Sequence, residues 1–536
     1  MTPFRVVLVN PPPFQVLEPE YDRPPFGRVG LAYLAGYLRR YEGFRIEIVD
    51  AKLERLSFDE TVRRALAANP DLVGLGAFTC EMKPAAYVAK LIKARRPGVT
   101  TVIGGVHVTA IPEHTLREFP QFDIGVHGEG EVTFHELCDA LRSGAAASSL
   151  TATPGLVLRT DAGIVVAPSR ERIADQDTIP FPAWDMLPRG DQYIVMTQRG
   201  CPFNCLFCMN PNGRTARPRS IENVMEELRL ILDRYQPKDI RFGDELFSVN
   251  MDRTHELLDA MIAAGVQKHV TWTAQTHVRF VDRAILSKMK EAGARRIGLG
   301  IETGDAEVLK ATGKGSTPEM ILKAGAAAKE ANVPIETYFV LGHPNETLKS
   351  MKKTIDLAVR LNPDTPIFGI MVPFPGTEVG RLAAAGEAGY RLRSTNWDDY
   401  DKQIGGALEF ANLSRHQIER LQVWAYVKVF VWNGRYLDFV KFCWRYRREG
   451  FVLAKKIVVR RSDKLAHGRP AGAEDIAASV GPDRQEIIAA TKEWQDWQRA
   501  DLTRLKKLRP GHTNVVFVDI QRKRPDTAAA GAGQTT

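Results

Sequence analysis

The 536-residue sequence predicts an α/β protein in three parts: a doubly wound parallel sheet, a partial (β/α)6 barrel and a helical C-terminal domain. Three observations predict this. Strand-like and helix-like segments alternate through five units over residues 1–145. They alternate again through six units over 191–400. Beyond residue 400 the pattern becomes mainly helical. The stretch 146–190, rich in Ala, Ser, Pro and Thr, reads as a linker. The helical domain is assigned to 401–520. A disordered tail over 521–536 closes on "RKRPDTAAAGAGQTT".

The first strand is the β-branched run "FRVVLV", and "GRVGLAYLAGYLRRY" follows with helical spacing. "RIEIVD", "DLVGLGAF", "VTTVIGG" and "FDIGVH" are the next four strands. Helices near Phe58–Ala68, Pro84–Arg96 and Glu131–Arg142 separate them. Together they describe an open, Rossmann-like sheet with helices on both faces, which binds ligands at the carboxyl ends of its strands. The barrel strands are "YIVMTQ", "DIRFGD", "VTWTAQ", "RRIGLGI", "PIETYFVL" and "TPIFGIMV". Barrels of this kind also place their chemistry at strand C-termini.

Composition is that of a globular protein, 44% hydrophobic and 26% charged. The net charge of +9 is uneven. Residues 411–536 hold 24 Lys and Arg against 13 Asp and Glu, whereas the first 410 hold 49 against 51. The basic character therefore belongs to the C-terminal region. The opening "MTPFRVVLVNPPP" runs into a strand pattern rather than a signal peptide, and no apolar stretch reaches the ~20 residues that span a bilayer. The expected location is the cytoplasm, where clustered cysteines point to metal or catalysis rather than disulfides.

Half of the six cysteines fall in "RGCPFNCLFC", at Cys201, Cys205 and Cys208, just after the first barrel strand. Structural zinc and ferredoxin-type sites take four ligands. Cys80, Cys138 and Cys443 lie in other segments, and no histidine stands between His135 and His255. Three close thiolates fit a cubane iron–sulfur cluster with one iron left open. This motif resembles that of the radical S-adenosylmethionine superfamily. The resemblance implies a 4Fe-4S cluster on Cys201, Cys205 and Cys208, which are then also the catalytic cysteines. It implies that Phe207 packs against adenine. It further implies that Gly243, Asp244 and Glu245 in "FGDELF", and Glu302 and Thr303 in "GLGIETG", bind S-adenosylmethionine. "LGHPNET" and "PFPGTE" resemble two later strand-end loops of the same family. The chemistry so implied is reductive cleavage of S-adenosylmethionine to a 5′-deoxyadenosyl radical, which the barrel holds beside one C–H bond.

No G-x-G-x-x-G follows the first strand, which disfavours a dinucleotide domain. What stands at the strand ends is "NPPPF" with Pro12 and Pro13, Thr79, "GGVHVT" with Gly104, Gly105, Val106 and His107, and "GEGE" with Gly128 and Glu129. These segments resemble the cobalamin-binding domain fused to one large branch of the radical family. D-x-H-x-x-G is absent and no histidine precedes His107, so the expectation is base-off cobalamin without a histidine ligand. Methylthiotransferases of the superfamily carry a second cluster on three N-terminal cysteines. The N-terminal region here has Cys80 and Cys138 alone, which disfavours that reading.

From Val423 to Arg461 the sequence interleaves Trp, Tyr and Phe with Lys and Arg. Lys441–Arg461 holds eight basic residues and one acid, Glu449. Three readings stay open: an amphipathic face at a membrane or over a large apolar substrate, a nucleic-acid groove, and a helical subdomain with solvated charges. The second is disfavoured. The family resemblance implies a cobalamin-dependent radical methyltransferase. The alternative is an oxidative or rearranging enzyme like the anaerobic magnesium-protoporphyrin ester cyclase. The expected partners are a small-molecule substrate, lipid-like or large and apolar in one reading, and an external low-potential electron donor. The location is cytoplasmic, with peripheral membrane contact left open.

Overall fold

The computed structural model describes residues 2–14, 16, 22–400, 406–447 and 484–507. The expected tail at 521–536 and the basic run past residue 447 lie outside these. The N-terminal sheet has seven strands: β1 (Phe4–Asn10), β2 (Phe44–Asp50), β3 (Leu72–Gly76), β4 (Thr100–Gly104), β5 (Ile124–Val126), β6 (Leu156–Thr160) and β7 (Gly163–Val166). Their order is β2-β1-β3-β4-β5-β6-β7. The first five pair in parallel, as their crossover helices require. In β1, Val6 and Leu8 enter one core while Val7 and Val9 enter the core on the opposite face. Both faces are covered, as a parallel sheet demands.

The last two strands correct the expected linker. Within 146–190, "LVLRT" and "GIVV" form an antiparallel hairpin that pairs with β5. Both are short β-branched runs either side of an Asp161–Ala162 turn. The Ala, Ser and Pro around them mask the signal. The sheet therefore extends past residue 145.

The barrel sheet consists of Gln192–Val195, Asp239–Phe242, Thr271–Thr276, Ala294–Glu302, Ile335–Leu341 and Thr365–Ile370. All six run parallel and neighbour one another in chain order. The helices outside are amphipathic. In Ile221–Tyr235, Ser220 caps the first turn by accepting from the Asn223 N–H, and Val224, Leu228 and Ile231 face the barrel core. After the sixth strand, Trp397 and Tyr400 leave the barrel and join the core of the N-terminal sheet. Helices Arg415–Trp432, Tyr436–Arg445 and Arg484–Lys506 follow. No helix among the described residues is long and apolar enough to cross a membrane.

Candidate active site between two sheets

The three cysteines lie on the loop between the first barrel strand and helix Ile221–Tyr235. Its stem is an antiparallel pair, Gln198–Arg199 with Arg217–Pro218. Gly200 opens the loop at φ +97°, where an added Cβ would collide with the Thr215 carbonyl oxygen. The Cys201 N–H donates to Gly213 O at 2.9 Å, the Leu206 N–H to Thr312 O at 3.0 Å and the Cys208 N–H to Cys205 O at 3.0 Å. The Asn210 amide donates to Cys201 O at 2.6 Å. Cys201 and Cys205 are half-buried and Cys208 is exposed. Burial pushes the Cys205 thiol up to about 12 and raises Cys201 as well, so thiolates here need a cation to sustain them. Among the described residues no three His, Cys, Asp or Glu side chains close on a single metal ion. Three thiols on one ordered loop fit a four-iron cluster, which spreads its thiolates over separate irons.

Gly243, Asp244 and Glu245 directly follow the second barrel strand, and the two carboxylates meet the segment that opens the cluster loop. Gly243 passes so close to the first strand that a Cβ would lie 2.6 Å from Ile194 Cγ2. Asp244 accepts from the Thr197 N–H at 2.6 Å, the Thr197 hydroxyl at 2.5 Å and the Gln198 N–H at 3.2 Å. Burial raises its carboxyl to about 6 against these hydrogen bonds. Glu245 accepts from the Gly200 N–H at 3.1 Å and the Asn212 amide at 2.5 Å. These carboxylates fix the loop that carries the cysteines.

Glu302 ends the fourth barrel strand at φ +69°, after a register shift between Gly300 and Glu302. A non-glycine residue in the left-handed region beside a bulge marks a position held by its surroundings. Its buried carboxylate pairs with Lys314. Thr303 shares a hydrogen bond with Thr354 at 2.9 Å. His343, just past the end of the fifth strand, is 1% exposed, and its ring approaches the Glu302 main chain without a well-formed hydrogen bond at either nitrogen. The Phe207 ring stands edge-on to it at 5.9 Å. A buried ring with hydrogen-bonding capacity to spare, beside an aromatic ring and a carboxylate, fits a bound nucleoside.

At the N-terminal sheet, Pro12 is buried and Pro13 half-buried after β1. Gly105 follows β4 at φ +112°, where a Cβ would sit 2.5 Å from Ala77 O. Gly104 leaves room, its Cβ position 3.6 Å from Val126 O, and beside Gly128 nothing lies within 4 Å. His107 is buried, with Nδ1 3.3 Å from the Thr79 hydroxyl and its ring edge-on to Trp397 at 4.6 Å. Its Nε2 has no partner. An orphaned nitrogen beside open glycine turns at the strand ends fits a large ligand there. Val106 packs against the apolar cluster that Met209 of the cluster loop forms with Ala110 and Trp494. Glu129 faces the barrel instead of the turn, bonded to Arg217 at 2.5 and 3.1 Å. Arg199, directly before the loop, pairs with Glu131 at 2.6 Å and lies over the Tyr33 ring at 4.9 Å. The C-terminal ends of the two sheets thus meet across a buried ion cluster.

Nothing in the sequence marks Arg217 or Lys314, whereas His343 stands in the strand-end loop "LGHPNET" and is, with Tyr338 and Trp397, a candidate for shaping the substrate site. The nearest signal for Arg199 was its place beside the cysteine motif.

Residues 195–358 match the family model of the radical SAM superfamily, and residues 21–138 that of the B12 binding domain. An uncharacterized methyltransferase of Pyrococcus horikoshii is 34% identical over 443 residues, spanning 80% of this chain and 93% of that protein. The anaerobic magnesium-protoporphyrin IX monomethyl ester cyclase of Rubrivivax gelatinosus is 28% identical over 65% of this chain. That match spans 65% of the cyclase, slightly under two thirds of its length. Among solved structures, the methyltransferase TsrM of Kitasatospora setae, with cobalamin and a [4Fe-4S] cluster bound, superposes with a TM-score of 0.63 at 16% identity. The superposition covers 94% of this chain and 100% of that one.

Proposed function

This chain belongs to the radical SAM superfamily and carries its B12 binding domain, and from that premise we propose that it is a cobalamin-dependent methyltransferase acting on an unactivated carbon. The observation that carries the reading is the meeting of the two sheets' C-terminal ends, with the cluster loop opposite the glycine turns. When bound, the cluster supplies an electron to S-adenosylmethionine and the cobalamin supplies the methyl group. Cys201, Cys205 and Cys208 hold the cluster, while Asp244 and Glu245 keep its loop in place. Phe207, Glu302 and His343 orient the adenosyl group. Thr303 fixes the turn behind Glu302 through Thr354. Thr79, Gly104 and Gly128 border the corrin. The cobalamin is base-off with no histidine on cobalt. His107, bonded to Thr79 and packed against Trp397, supports its role as a wall residue. An external low-potential donor supplies the electron.

Incubation with methyl-labelled S-adenosylmethionine and candidate substrates tests the reading: label in product together with 5′-deoxyadenosine supports it. 5′-Deoxyadenosine with an unlabelled product that has lost hydrogen or gained oxygen supports the second reading, an oxidative enzyme like the cyclase. The similarity to that cyclase is the observation favouring it.

A peripheral membrane contact suits the exposed face of helix Tyr436–Arg445. Leu437, Val440 and Trp444 recur at helical spacing and are 76%, 64% and 70% exposed. Lys441, Arg445 and Arg447 flank them. Aromatic and aliphatic groups rimmed by cations suit an anionic membrane surface. Cosedimentation with phosphatidylglycerol vesicles, lost in Leu437→Ser/Trp444→Ser, is the expected result.

A further inference from the structure

Arg214 stands in the cluster loop, six residues past Cys208. It is half-buried, and among the described residues no carboxylate pairs with it. A cation withdrawn from water normally has a counter-charge. Burial works against its charge; among its neighbours the Cys208 and Cys205 sulfurs favour that charge, while the Arg499 guanidinium opposes it.

Its hydrogen bond runs to the far end of the chain. The Arg214 Nε–H donates to Gln498 Oε1 at 2.7 Å. The Gln498 amide nitrogen donates to Met209 O at 2.8 Å and Asn210 O at 2.9 Å. Gln498 is 1% exposed, and all three of these contacts fall on the cluster loop. Trp494, one turn earlier, donates to Met209 O at 2.9 Å. Helix Arg484–Lys506, which carries both, is itself anchored. Asp501 pairs with buried Arg172, whose guanidinium covers the Trp497 ring at 4.0 Å. Glu486 reaches His114 of the N-terminal domain at 2.8 Å.

We propose that Arg214 is the counter-cation of the iron–sulfur cluster and that Gln498 is the residue that positions it, so that the C-terminal helix sets the cluster's reduction potential. The inference rests on the cluster assignment made above. Three thiolates leave a four-iron site anionic, and reduction adds a further negative charge. A fixed cation beside it favours the reduced form and raises the potential. Gln498 holds the guanidinium by Nε while bonding the backbone that follows Cys208, so cation and loop move as one unit.

The test is a potentiometric titration of the full chain, reconstituted anaerobically with iron and sulfide and followed by electron paramagnetic resonance. Arg214→Gln is expected to shift the midpoint to a more negative potential at unchanged iron content. Arg214→Lys, which keeps the charge, is expected to stay near the wild type, and Gln498→Leu to fall between. An Arg214→Gln midpoint equal to the wild type overturns the proposal. If Arg214→Gln fails to hold iron, Gln498→Leu decides: a wild-type midpoint there overturns the positioning role. A wild-type chain that takes up no iron overturns the cluster assignment as well, whereas full iron with unmoved midpoints overturns this inference alone.

Discussion

Replacing Glu129 with leucine breaks the ion cluster that joins the cobalamin-binding domain to the cluster loop. Glu129 accepts from Arg217 at 2.5 and 3.1 Å and from the Ile173 N–H at 2.9 Å. Arg217 is fully buried and also donates to Ile173 O at 2.6 Å and Asn212 O at 2.8 Å. Removing the carboxylate leaves that guanidinium without its counter-charge, a change that costs roughly 3–5 kcal/mol. Arg199 keeps Glu131 at 2.6 Å, which places the loss near the lower end of that range. At roughly 2–4 °C per kcal/mol, the corresponding transition falls by about 6–12 °C. Calorimetry resolves this provided the domain transitions are fitted separately, since a multidomain chain need not unfold in one step. The double variant Glu129→Leu/Arg217→Met is expected to recover most of the loss, because an apolar pair replaces the ion pair. A single-variant loss under about 1 kcal/mol, or a double variant no better than the single, refutes the reasoning. The pH dependence follows from the same pair. Burial pushes the Glu129 carboxyl up, but the charge and hydrogen bonds of Arg217 outweigh it and hold the group at about 2. Its folded value lies below the unfolded value of about 4.3. The contribution is therefore present above that value and is lost as pH falls toward 2. The stability gap between wild type and Glu129→Leu should close over that window.

Five further substitutions, three of them at the cysteines, probe the site. Alanine at Cys201, Cys205 or Cys208 removes one of three ligands, and each variant is expected to lose the brown chromophore and most of its iron; retention of full iron in any one would exclude that cysteine. Gly200→Ala forces a side chain onto the Thr215 carbonyl at φ +97° and is expected to cost at least about 1–3 kcal/mol with loss of iron; unchanged melting and iron content would show that the turn is not constrained. His343→Ala should weaken S-adenosylmethionine binding by roughly two- to tenfold, the worth of a hydrogen bond, with iron content unchanged. Calorimetric titration with equal affinities would take the ring out of the site.

What the sequence discloses is what depends on neighbours along the chain. The five parallel strands of the first sheet and the six of the barrel are short segments rich in apolar or β-branched residues with helical segments between them, and they emerge where expected. The cysteine spacing lies within eight residues of one loop. The β6–β7 hairpin is hidden because its strands are five and four residues long and set in Ala- and Pro-rich surroundings. Glu129 reads as part of a ligand turn, yet its partner Arg217 is 88 residues away. Gln498 is a polar residue on a polar helix until the fold carries it 284 residues back to Arg214. His343 lies in the "LGHPNET" loop that the sequence marks, but only packing shows its ring buried edge-on to Phe207.

The central claim is that one chain holds an iron–sulfur cluster and a cobalamin facing one another. Iron and cobalt per chain, measured after anaerobic purification from cobalamin-fed cells, test it most directly. The expected result is about four irons and one cobalt, a single four-iron cluster beside one corrin. Four irons without cobalt would contradict the claim and remove methyl transfer through cobalamin from this chain.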